Sequence, residues 1–161
     1  MTSLRALLSL AAFGTLTLFS AAPASATSSP ATDSATRGRP AIVLDRLVFP
    51  DDVAGASHFV RHLRHTLRRE ARRADWGAGR GHRIEYRFFV EELRLEPRDG
   101  VLRVTCTALG KLPKGRSARS HLSFSGEPAQ KNALIERVLD IVARGVLTRL
   151  AELERSRRGA C

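Results

Sequence analysis

The chain has 161 residues and carries 27 Lys+Arg against 16 Asp+Glu, a formal net charge of +11. That length suits one domain, and a hydrophobic fraction of 43% supports a modest core while excluding a membrane bundle. Two cysteines exclude a disulfide-dense scaffold, and a single Trp and a single Tyr leave little for an aromatic ligand platform.

Residues 1–26 have the three parts of an export signal. Arg5 gives a positive start, Leu7 to Phe19 an apolar run, and Ala24-Ser25-Ala26 a small-x-small cleavage site. Ser9, Gly14, Thr15 and Thr17 interrupt the run, which is short for a membrane span, and Pro23 stops any helix before the cleavage site. Mature Thr27 is expected, with a charge still near +10 because Arg5 is the only charged residue removed. No twin Arg precedes the apolar run, and no Cys follows the small residues to take a lipid. Residues 27–39, rich in Ser, Thr, Ala, Gly and Pro, are expected to be a disordered leader to a single α+β domain over 40–157, with 158–161 a flexible tail.

Ala41 to Phe49 is apolar and β-branched and ends at Pro50, which predicts a strand buried on nearly both faces. Asp51 or Asp52 is placed to cap a helix whose apolar stripe is Val53, Ala56, Phe59, Val60, Leu63, Leu67, Ala71 and Ala74. Gly77, Gly79 and Gly81 end it in a flexible turn. His82 to Glu96 alternates through Ile84, Tyr86, Phe88 and Val90, then changes phase at Glu91-Glu92, the mark of a bulge.

Pro97-Arg98-Asp99-Gly100 is a tight-turn sequence. The strand after it, Val101 to Leu109, sets Leu102, Val104, Cys106 and Ala108 against Arg103, Thr105 and Thr107. Leu112 to Arg116 connects to a strand over Ala118 to Phe124. A final helix over Ala129 to Arg155 carries the stripe Leu134, Ile135, Val138, Ile141, Val142, Val146, Leu150 and Leu153. The order β-α-β-β-β-α predicts a two-layer α+β sandwich. Its four-stranded, mostly antiparallel sheet has both helices on one face and Arg103, Thr105, Thr107, Arg119, His121 and Ser123 on the other.

Over Ala41 to Arg155 this plan resembles small periplasmic α/β envelope modules, namely the TolB N-terminal domain and the lipoprotein activators of penicillin-binding proteins. It is also similar to uncharacterised exported bacterial proteins with a DG turn, a VxC strand and an LPxG hairpin. Here these are Asp99-Gly100, Val104-Thr105-Cys106 and Leu112-Pro113-Lys114-Gly115. The resemblance implies an envelope role and brings no catalytic residue; the missing lipidation Cys departs from the lipoprotein members.

His58, His62 and His65 share a helix face at spacings of four and three, a pattern able to hold a transition metal. Neighbouring arginines disfavour a dication, no carboxylate is spaced to complete the shell, and a solvated face is the expected reading. The basic helix (Arg61, Arg64, Arg68, Arg69, Arg72, Arg73) suits an anionic polymer or surface, weighed against a merely soluble one. Gly77-Ala78-Gly79-Arg80-Gly81 follows a helix and precedes a strand, the reverse of a phosphate loop. Cys106 and Cys161 either pair or remain separate thiols.

Ser120 and His121 point to opposite faces of a strand, so they form no nucleophile-base pair. HExxH, GxSxG and paired-Cys zinc motifs are absent. The expectation is an exported, non-catalytic accessory protein of the bacterial envelope, periplasmic or extracellular, without cofactor. Its partner is an envelope protein or an anionic polymer rather than nucleic acid, recognised by the polar sheet face (Arg103, Arg119, His121) or by the basic helix. One alternative is a cationic secreted protein binding anionic polymers or lipids. A second is a small metal-dependent enzyme on the His58/His62/His65 face. The long stripe of the last helix leaves a homodimer open.

Overall fold

The structure, a computed structural model, describes residues 38–79 and 82–159, all within one compact unit. The expected export signal and leader fall on residues 1–39; residues 1–37, 80, 81, 160 and 161, Cys161 among them, lie outside the described residues.

The chain runs β1 (Ala41–Val48), α1 (Ala56–Arg73), β2 (Arg83–Arg98), β3 (Val101–Lys111), β4 (Ser117–Gly126) and α2 (Lys131–Gly159). The sheet order is β1-β2-β3-β4, with β1 parallel to β2 and the other pairings antiparallel. This is the α+β sandwich the periodicities predict.

The β2–β3 hairpin closes on Asp99 and Gly100, both at positive φ (50° and 79°), the two-residue geometry that matches strand twist. Pro97 therefore stays in β2, opposite Leu102, instead of opening the turn. The register shift falls between Val90 and Glu92, where the phase change predicted it. It turns both carboxylates to the polar face, Glu91 to Arg119 at 3.0 Å and Glu92 to the Thr107 hydroxyl at 3.2 Å.

Four expectations are corrected. β1 is an edge strand among the described residues, half-exposed along most of its length, with a strand neighbour on the β2 side only. Neither Asp51 nor Asp52 caps α1; the chain turns so that Val53 reaches the core, and the helix starts after Gly55 at φ 81° with no side-chain cap. The stripe of α2 is wider than predicted. This helix packs on β3, β4 and α1 together, burying Leu139, Ala143, Leu147 and Ala151 and leaving Ile141 exposed. Finally, α2 continues past Arg155 to Gly159, its last turn tied down by Arg158, which bonds Glu154 and the Ala78 carbonyl.

The core lies between the helices and one sheet face, with Phe59, Leu63, Leu67, Tyr86, Phe88 and Val104 among its most enclosed members. Trp76, just past α1, is also buried and donates its indole N–H to the Ala71 carbonyl at 2.8 Å. Gly110 lets α2 approach β3: a Cβ there would stand 2.5 Å from Val146 Cγ1 and 2.7 Å from Leu150 Cδ1.

Candidate functional site

A helix turning 100° per residue divides α1 into three strips. The middle strip buries Phe59, Leu63, Thr66, Leu67, Glu70 and Ala71. One flank carries His58 and His62 and meets α2; the other carries Arg64, Arg68 and Arg72 and overhangs β1.

On the first flank His58 and His65 are exposed and His62 is half-buried, and two of the three meet carboxylates of α2. His58 Nε2 lies 2.6 Å from Glu136, and His62 Nε2 lies 2.9 Å from Asp140. The same Asp140 oxygen accepts the buried Thr66 hydroxyl at 2.6 Å. Glu136 and Asp140, four residues apart on α2, thus match His58 and His62, four apart on α1. Each of these two imidazoles has its own carboxylate, one helical turn from the other, and His65 is exposed. Among the described residues no three His, Cys, Asp or Glu side chains form a group able to hold a metal ion.

Glu70 is buried and gathers three arginines, Arg69 at 3.0 Å and Arg73 and Arg144 at 3.4 Å. Arg69 also reaches Asp140 at 3.8 Å. Two of the six basic-helix residues are therefore spent in the fold. The other four, Arg61, Arg64, Arg68 and Arg72, are exposed and make no ion pair among the described residues.

Most of the polar sheet face is paired within itself. Arg119 pairs with Glu91, Thr105 with Ser123 at 3.0 Å, and His121 Nδ1 lies 2.9 Å from the Thr107 hydroxyl. Thr107, expected to be exposed, is buried beneath Glu92 and His121. Arg103 remains exposed. A cavity of about 530 Å³ beside Phe89 is lined by Arg87, paired with Asp45 at 2.7 Å, by Lys111, which lies over the Phe89 ring at 5.3 Å, and by Lys114.

The arginine flank borders two further cavities. One, of about 340 Å³, lies between β1 and α1, with Ile42, Leu44 and Leu47 on one wall and Arg64, Arg68 and Arg72 on the other. Tyr86 forms part of its lining, and burial raises the Tyr86 hydroxyl above its ordinary pKa against the opposing pull of Arg68. The second, of about 350 Å³, shares Ile42, Ala71 and Arg72 with the first and extends it past Trp76 to Gly77. Together they form one groove along β1. The helix spacing singled out the arginines, but not the groove. Its other wall comes from a strand that reads as buried until its place at the sheet edge is known.

Cys106 is a free thiol buried in the core, and burial, reinforced by the nearby Glu92 charge, pushes it up to about 12. Among the described residues no helix is long and apolar enough to cross a membrane.

No family model matches this chain, and no curated protein matches it. Several solved structures are similar to it, three of them as follows. A candidate lipoprotein of Caulobacter crescentus CB15 is 10% identical, with 73% of this chain and 90% of that one covered and a TM-score of 0.42. A PelC variant from Paraburkholderia phytofirmans, solved as a dodecamer, is 17% identical, with coverage of 68% and 90% and a TM-score of 0.41. A minor lipoprotein from Acinetobacter baumannii is 15% identical, with coverage of 73% and 95% and a TM-score of 0.34. No site residue is carried over from any of them.

Proposed function

We propose that this chain is an exported, non-catalytic binding module of the bacterial cell envelope that holds an anionic partner on the outer flank of α1. The observation that carries the reading is a contrast in pairing. Arg69, Arg73, Arg119 and Arg144 each lie against a carboxylate of the fold, whereas Arg61, Arg64, Arg68 and Arg72 stand exposed with none among the described residues. Unanswered like charges on one helix raise the local potential and favour an anionic ligand. The export segment Met1 to Ala26 and the likeness of the element order to small envelope modules support the compartment.

Calorimetry with poly-L-glutamate tests the reading. Binding is expected at about 50 mM salt and is expected to weaken at about 500 mM, where screening shortens the reach of exposed charges. Absence of binding at low salt would overturn it. The export step is tested by mass: the exported protein is expected to begin at Thr27.

A further inference from the structure

Among the described residues β1 pairs on one side only, with β2, and its other edge is open. The Ala41 N–H donates to the His82 carbonyl at 2.8 Å, inside the sheet. In a parallel ladder alternate residues bond the same neighbour, so Ile42 and Leu44 turn their N–H and C=O groups outward. The register is regular from Ala41 to Leu44 and shifts only at Asp45, so the first half of β1 is an unprotected template for another strand.

Arg64, Arg68 and Arg72 run beside this edge at intervals of four residues. On an α-helix that interval is about 6 Å, and every second residue of an extended strand recurs at about 6.6 Å. The spacings agree within the reach of a guanidinium. A strand laid against β1 would bring alternate side chains under successive arginines, and Ile42 and Ala71 would line the apolar floor of the groove.

We propose that the open edge of β1 takes an extended acidic segment of a protein partner as a fifth strand, its alternate carboxylates on Arg64, Arg68 and Arg72. This deepens the anionic-partner reading and rests on it. A peptide is favoured over an acidic polysaccharide because only a peptide answers the outward backbone groups of Ile42 and Leu44 as well as the arginines.

The test uses the purified protein and the peptide acetyl-Glu-Val-Glu-Thr-Glu-Val-Glu-Thr-amide. Comparison probes are the same residues with the glutamates contiguous, an alternately N-methylated copy, polygalacturonate and poly-L-glutamate. The alternating peptide is expected to bind and to slow amide exchange at Ile42 and Leu44. N-methylation is expected to weaken it by about tenfold, the effect of removing two strand hydrogen bonds. Equal binding of the contiguous or N-methylated peptide, or binding of polygalacturonate alone, with exchange at Ile42 and Leu44 unchanged, would overturn strand addition and leave anion binding standing. Failure of every anionic probe, poly-L-glutamate included, would remove both.

Discussion

Asp140 of α2 closes on His62 of α1 at 2.9 Å while the same carboxylate oxygen takes the Thr66 hydroxyl at 2.6 Å. A histidine flank that reads as a solvated face in sequence also takes part, in the fold, in a helix-helix contact through His58 and His62. Asp140→Ala removes the partner of a buried hydroxyl and is expected to lower stability by about 1–2 kcal/mol in urea unfolding. His65→Ala, on the exposed side, is expected to stay within about 0.5 kcal/mol. Equal effects of the two substitutions would show that the contact contributes nothing to stability.

The close approach at Gly110 makes a separate point about the core. Gly110→Ala drives a methyl group against Val146 and Leu150 and is expected to cost about 1–3 kcal/mol. Because the conflict is steric, Val146→Ala in the same chain is expected to recover part of that loss. A double-mutant cycle showing simple additivity would place the damage elsewhere.

Glu154 gives the fold an acid-sensitive contact. Burial opposes its ionisation, but hydrogen bonds from Arg157 and Arg158 outweigh burial and hold the carboxyl below its ordinary 4.5. A carboxylate lowered in the folded state contributes stability that is present above its unfolded pKa and lost as pH falls through the folded one. Unfolding midpoints are therefore expected to drop as the pH is lowered below about 4.5. Glu154→Gln should flatten that limb; an unchanged acid limb would remove Glu154 from the account.

Cys106 should be chemically silent while the protein is folded. With the thiol raised to about 12 inside the core, the reactive thiolate is scarce as well as enclosed. Alkylation at pH 8, followed by mass analysis of the peptide containing Cys106, is expected to be roughly a hundredfold slower in the native protein than in urea. Equal rates would mean the strand opens readily.

Periodicity made most of this architecture legible. The alternation from Ile84 to Val90, the phase change at Glu91 and the stripe from Phe59 to Ala71 are local signals with local causes. What they could not convey was which neighbours each face meets. β1 reads as buried because its residues are apolar, yet its place at the sheet edge is decided by the connection through α1. Asp51 and Asp52 have the chemistry of caps, but the demand of Val53 for the core moves the helix start to Gly55. At the site the arginine row was readable as a row. Its division into Arg69 and Arg73, drawn in by buried Glu70, and the four left facing outward depended on three dimensions. The carboxylates facing His58 and His62 come from 78 residues away, beyond any spacing rule on α1.

The central claim is that the outer flank of α1, and not the polar sheet face, holds the partner. The most direct measurement is the affinity for poly-L-glutamate at about 50 mM salt of the wild-type protein, of R64E/R68E/R72E and of R103E/R119E, each first shown to be folded by its unfolding curve. The helix variant is expected to lose at least about tenfold in affinity and the sheet variant less than about twofold. The reverse order would contradict the account and move the binding surface to the sheet.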